Sequence, residues 1–169
     1  MSRFTQILLV SPLDDGKTWA LMRDFGYAKG AEDSGDVIDV PLGFLTDFAS
    51  VPWFFQWWIP QWGKYGNAAV IHDWLYWSQG RTRQESDAIF LEAMGVMGVG
   101  DAKKYTIYYG VRTFGWWAWL RNQEDRLSGF DRVLLQPDLK AGAKSLRRGS
   151  LPQVFKAVLR RAKRDRAGS

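Results

Sequence analysis

The spacing of apolar positions changes character about a third of the way along the chain. In the first part, short apolar runs are separated by turn residues and do not recur at helical spacing, which predicts strands. Phe4 to Val10 is one such run. Pro12-Leu13-Asp14-Asp15-Gly16 supplies a turn, because proline fixes φ and glycine accepts a positive φ, and Thr18 to Met22 returns as the second strand of a hairpin. Asp36-Val37-Ile38-Asp39-Val40 alternates polar with apolar, the pattern of a half-buried third strand ending at Pro41.

After the loop from Gly43 to Pro52 the period lengthens to that of helices. Asn67 to Ser78 predicts one helix, with Gly80 placed to close it in the left-handed conformation. Thr82-Arg83-Gln84-Glu85 matches a capping box and opens a second helix to about Met97. Asp101 is expected to cap the last core helix, which carries Tyr105, Tyr108, Arg112, Trp116 and Trp119 on one face. Short antiparallel strands followed by a mainly helical bundle make an α+β fold.

From Pro137 the composition shifts to Lys, Arg, Gly and Ala, which places the edge of the compact domain near residue 130 and leaves 131–169 as a tail. Of the 23 Lys/Arg and 18 Asp/Glu in the chain, residues 136–169 hold 10 and 2, so the tail is strongly basic and the body neutral to acidic. Within it, Pro152 can open a short helix whose Val154, Phe155, Val158 and Leu159 oppose Lys156, Arg160, Arg161 and Lys163. Such a tail suits other proteins or an anionic polymer, nucleic acid or envelope.

Composition narrows the chemistry. The 169 residues suffice for one core. With no Cys there is no disulfide, thiolate metal site or Cys nucleophile, and a single His, His72, excludes every site that needs two imidazoles. Ile7 to Val10 is too short for a secretory segment or membrane span, so the expected synthesis product is cytosolic. Ten Trp, ten Phe and six Tyr are an unusual load, read first as an aromatic core. Trp53, Trp57, Trp58 and Trp62 are read as packing before a glycan groove, and Gly63-Lys64-Tyr65-Gly66 lacks the spacing of a phosphate loop.

Helix 67–78 is apolar nearly all round, so it should be buried, yet His72 and Asp73 lie in its middle. A buried charge costs several kcal/mol unless paired, so partners are required. Asp47, in an otherwise apolar loop, and Asp87, early in the next helix, are candidates, and Arg112 is out of place on an aromatic face. Two readings follow. In one, Asp47, His72, Asp73 and Asp87 converge on a divalent metal (Zn, Mn or Mg), with Asp47, His72 and Asp73 as ligands or proton carriers and Arg112, Ser50 and Tyr76 binding substrate. In the other, Asp73 or Asp47 pairs with Arg112, His72 donates to a backbone carbonyl, and Asp87 merely favours the positive end of its helix.

Four segments carry a resemblance: Val40 to Pro52 (VPLGFLTDFASVP), Ala68 to Tyr76 with its His-Asp pair, Arg83 with Asp87, and Tyr108 to Gly115. In order and spacing they are similar to the signature of a family of small phage and prophage proteins without an established activity. The resemblance covers roughly residues 4 to 120 and implies a gene of the tail or lysis type. Two functions fit that context: a small metal-assisted or acid/base hydrolase, or a non-enzymatic virion or tail-associated component that docks through aromatic surface and basic tail.

Overall fold

A computed structural model describes residues 3–13, 18–47 and 65–134 of the chain. The turn at 14–16, Ser50, the four tryptophans between 53 and 62, Gly63-Lys64 and the tail from 135 onward lie outside the described residues. Six short strands precede three helices: β1 Arg3–Phe4, β2 Val10–Pro12, β3 Trp19–Leu21, β4 Phe25–Ala28, β5 Val37–Val40, β6 Leu45–Thr46, α1 Gly66–Ser78, α2 Arg83–Val96 and α3 Asp101–Leu127. The fold is α+β, as the pattern predicts. Among the described residues no helix is long and apolar enough to cross a membrane.

The strands form two three-stranded antiparallel sheets, ordered β1-β4-β5 and β2-β3-β6. The run from Phe4 to Val10 is therefore not one strand. Its first end pairs with β4 and its last end opens β2 in the other sheet, so Thr5 to Leu9 is a crossover in which Ile7 is 80% exposed. Pro12 belongs to β2 rather than to the turn, tolerated because β2 is an edge strand and needs no inner N–H. β5 keeps the predicted alternation, with Ile38 and Val40 buried and Val37 and Asp39 outward. Central β4 passes so close to its neighbours that a Cβ on Gly26 would lie 2.8 Å from Thr5 Oγ1 and 3.0 Å from Asp39 Oδ1.

Helix α1 is the hub of the core. It packs against α2, α3, β5 and β6, and Ala68, Ala69, Val70 and Ile71 are fully buried among Leu21, Phe25, Tyr27, Val40, Ile89 and Met94. Small residues at 68 and 69 let neighbouring backbone approach, and the larger side chains fill the remaining volume. Its C-terminus is closed by Gln79, not Gly80. Gln79 takes the left-handed conformation (φ 51°), and its side-chain amide donates to the Trp119 carbonyl at 2.8 Å, which offsets the strain.

The α2 capping box forms as read: Thr82 accepts from the Glu85 N–H and Glu85 accepts from the Thr82 N–H. Helix α3 begins instead after Gly100, with no side-chain cap. Asp101 is its first residue and pairs with Lys104 at 2.7 Å, still favourable at the positive helix end. Beyond α3 the chain returns to the second sheet: Leu45 N–H donates to the Arg132 carbonyl, Leu134 N–H donates to the Gly43 carbonyl, and Val133 bridges Phe44. Residues 132–134 thus pack against the second sheet.

Candidate functional site

The side chain that organises the helices is Asp87, fully buried in the second turn of α2. Its Oδ1 accepts from Tyr76 Oη at 2.7 Å and meets His72 Nε2 at 2.9 Å, both from α1. Its Oδ2 accepts from Arg112 Nη1 of α3 at 2.8 Å and from Arg83 Nη1, one turn earlier on α2, at 3.4 Å. One carboxylate therefore joins all three helices. Arg83 also donates to the Arg112 backbone carbonyl at 3.1 Å, tying α2 to α3.

Burial acts first on Asp87 by raising its pKa, but hydrogen bonds from His72, Tyr76 and Arg112 outweigh it and hold the carboxyl below its ordinary range. His72 moves down. Its burial disfavours the imidazolium more than the bond to Asp87 favours it, so the ring is neutral near pH 7 and its Nε2–H donates to an ionised carboxylate. The ring lies between Phe90 and Tyr76, with centroids 4.5 Å and 4.1 Å away. Burial, with the Asp87 charge behind it, also raises Tyr76, which stays a phenol.

Asp73 enters a different environment. Successive helical residues point about 100° apart, so while His72 faces α2, Asp73 faces the second sheet and accepts from Thr46 Oγ1 at 2.5 Å in a buried contact. Thr46, itself fully buried, places the neighbouring Asp47 at the β6 end in a partly buried position. Asp47 and Asp73 both make further polar or electrostatic contacts.

The structure places three of the four expected metal and proton-carrying residues in two networks, His72 with Asp87 and Asp73 with Thr46, and sets Asp47 beside Thr46 at the end of β6. Among the described residues no three His, Asp or Glu side chains form a group that could hold a metal ion. The partners named in the second reading differ from those observed. Arg112 binds Asp87 rather than Asp73 or Asp47, and His72 donates to that same carboxylate rather than to a backbone carbonyl. Tyr76, expected to bind substrate, is occupied by Asp87.

Sequence reading did not identify Arg83, Thr46, Asn122 or Arg126 as partners. Asn122 donates to the Tyr76 carbonyl at 3.2 Å and Arg126 to the Ser78 carbonyl at 2.6 Å, so α3 satisfies the open carbonyls at the end of α1. Only the Arg83–Asp87 spacing, four residues on one helix, carried a signal.

The aromatic face of α3 also differs from expectation. Tyr108 and Trp119 are partly buried, but Tyr105 and Trp116 are exposed, together with Tyr109, Trp117, Leu120 and Leu127. At about 100° per residue, Tyr105, Tyr109, Trp116, Leu120 and Leu127 fall in an arc of roughly 60°. The helix thus turns Ile107, Val111 and Trp119 inward together with the bound Arg112 and Asn122, and leaves an apolar stripe exposed beside them.

These features define a small α+β domain whose three helices close around one ionised aspartate. The chain belongs to the family described as "Protein of unknown function (DUF1353)", which it matches over residues 19–111. It is 37% identical over 105 residues to "Uncharacterized protein y4jT" of Sinorhizobium fredii (strain NBRC 101917 / NGR234), covering 60% of this chain and 30% of the relative. It is 36% identical over 109 residues to "Uncharacterized protein y4iH" of the same organism, covering 63% and 44%. The chain thus spans less than half the length of these curated relatives. No solved structure matches it.

Proposed function

We propose that this chain is a non-enzymatic docking component, of the virion or tail-associated kind, in which the Asp87 cluster sets the helix packing and the outer face of α3 meets the partner. The observation that carries this reading is the contrast in α3 itself. Arg112 and Asn122 are engaged inside the domain, while Trp116, Trp117 and Leu120 are 53%, 59% and 47% exposed. A clustered apolar surface of this kind marks an interaction site more often than solitary exposed side chains do. The basic tail adds charge for an anionic partner.

The test compares two variants of the full chain for self-association and for binding to vesicles and duplex DNA. Trp116→Ser/Trp117→Ser should abolish the association found, and His72→Gln should retain it. The reverse pattern would refute the docking reading.

One observation favours a second reading, the acid/base hydrolase. A neutral imidazole that donates through Nε2 to a buried carboxylate carries its lone pair on Nδ1 and is oriented as a general base is. Under that reading Arg83 and Arg112, about a quarter exposed, would hold an anionic substrate group, and Asp47 and Asp73 would offer carboxylate oxygens to a divalent ion able to lower the pKa of water. Turnover of cell-wall fragments or nucleotides that disappears in a folded His72→Gln variant would establish it over docking.

A further inference from the structure

We infer that the mouth of the Asp87 cluster is an oxyanion-binding site, where Arg112 and Arg83 receive a phosphate or carboxylate group from outside the domain. The site goes beyond the docking reading and does not depend on it. The hydrolase reading gives the same two arginines a substrate to hold, but the site requires neither turnover nor a metal.

The charges of the cluster do not cancel. Asp87 is ionised, Tyr76 is a phenol and His72 is a neutral imidazole, so one negative charge faces the two guanidinium groups of Arg83 and Arg112. A single guanidinium neutralises a buried carboxylate, and Tyr76 and His72 already supply Oδ1 with two donors, so the second arginine is more than Asp87 needs. The acids nearest in sequence have donors of their own: Glu85 is taken by Thr82, Asp36 by Arg81, Glu92 by Tyr27 and Gly30, and Asp101 by Lys104. Exposed Glu124 is about 18 Å further along α3 than Arg112, at about 1.5 Å per residue. The cluster therefore carries a surplus positive charge.

Donors for an outside anion are present. Both Nη1 atoms lie within 3.4 Å of Asp87 Oδ2, which brings the two guanidinium groups to one place, and their side chains are 25% and 28% exposed while Asp87 is fully buried. Arg112 spends only Nη1 on Asp87, which leaves its Nε–H and both Nη2–H groups for an acceptor. Arg83 spends Nη1 on Asp87 and on the Arg112 carbonyl and lies against the Tyr76 hydroxyl, so it contributes mainly charge. The planar fork of Arg112 matches the paired oxygens of a carboxylate or phosphate. Partly buried Tyr108 and Trp119, one and two turns away on the same face of α3, set this fork among rings, where an ion pair is screened less than in open water.

The test is a titration of the full-length protein with inorganic phosphate at constant pH and ionic strength, followed by NMR at the Nε–H groups of Arg83 and Arg112 and at the ring of His72. That ring is the single imidazole of the chain and lies directly behind Asp87, so it reports on this cluster and not on the basic tail. All three signals should shift saturably with one dissociation constant. A second arm uses a hexaglutamate peptide: binding tighter than that of phosphate assigns the site to an acidic protein segment, weaker binding to a small phosphate-bearing ligand. Arg112→Lys keeps a charge beside Asp87 but loses the fork, and should bind roughly tenfold more weakly. Arg83→Gln removes the surplus charge and should weaken binding to a similar extent; it decides the matter if a thermal melt shows that Arg112→Lys is unfolded. Arg121→Gln, a cation elsewhere on α3, should bind like wild type. Signals of His72 and Arg112 that stay still or drift without saturation in both arms would overturn the site, and so would wild-type affinity in the folded arginine variants. The docking reading fails separately, since loss of association through the outer face of α3 has no bearing on this titration.

Discussion

On its inward side α3 packs Ile107 and Val111 into the core and binds through polar groups, Arg112 to Asp87, Asn122 to the Tyr76 carbonyl and Arg126 to the Ser78 carbonyl. On its outward side it carries Tyr105, Tyr109, Trp116, Trp117, Leu120 and Leu127, between 44% and 83% exposed. In most surface helices the apolar stripe faces the core and the polar one faces water. Here Ile107 and Val111 join the core, Trp119 packs on Tyr76 and polar contacts tie the helix to α1 and α2, yet most of its large apolar side chains stay outside. Stability and recognition are thus assigned to different, adjoining sides of one element, and substitutions should separate them.

The largest effect should come from the inward side. Asp87→Ala would leave two guanidinium groups, an imidazole and a phenol without their common acceptor, and unpairing buried charge typically costs about 3–5 kcal/mol. Chemical denaturation should show that loss, with Asp87→Asn retaining part of it through the remaining carbonyl oxygen. A loss under about 1 kcal/mol would mean that the cluster is incidental to helix packing.

Next comes Gly115→Ala. A Cβ at this position would lie 2.5 Å from Tyr76 Oη and 3.3 Å from Val111 Cγ1, so the tyrosine must leave Asp87 or the helices must part. Overpacking of this kind costs about 1–3 kcal/mol, and combining Gly115→Ala with Tyr76→Phe should cost less than the sum of the two. Strict additivity would show that the steric pressure is relieved elsewhere.

Acid should act through His72. Its native pKa is below the ordinary 6.5, so between the two values the unfolded chain holds a proton that the folded chain lacks. Stability from this group is therefore complete above pH 6.5 and lost as pH falls, by at most about 1.4 kcal/mol per pH unit. Carboxylates titrate mainly below this window, so melting temperatures between pH 7 and 5 isolate the histidine. Wild type should fall across that range while His72→Gln stays flat; equal slopes would place the acid sensitivity elsewhere.

How far these contacts could be read in advance depended on their range in sequence. The α2 capping box is complete within Thr82–Glu85, and the β5 alternation within four residues, so both were legible. The break between β1 and β2 was not, because Phe4 to Val10 contains no Gly or Pro turn signal and its two ends find different sheets only through β4 and β3. Likewise, the need of His72 and Asp73 for partners followed from burial alone. Which partners they take depends on helix phase and crossing: adjacent residues point to different neighbours, and Arg112 arrives at Asp87 from 25 residues away. The outward aromatics of α3 were misread because aromatic content records burial only on average, and a ring at a surface obeys the same spacing as one in a core.

The smallest expected effect is the one that most sharpens the contrast. If Trp116 and Trp117 belong to a surface kept for a partner, Trp116→Ser/Trp117→Ser should leave the isolated fold within about 0.5 kcal/mol of wild type, the usual range for surface substitutions. Both rings already meet water over half or more of their area, so removing them recovers little buried apolar surface and opens no cavity. The Arg121 contact over Trp117 would be lost, but an exposed cation–π pair is worth only about 0.5–1 kcal/mol, and the guanidinium regains its hydration. Matching denaturation midpoints beside altered association would separate the two sides of α3 completely. A loss approaching that of Asp87→Ala would instead make these rings part of the core that holds the helix.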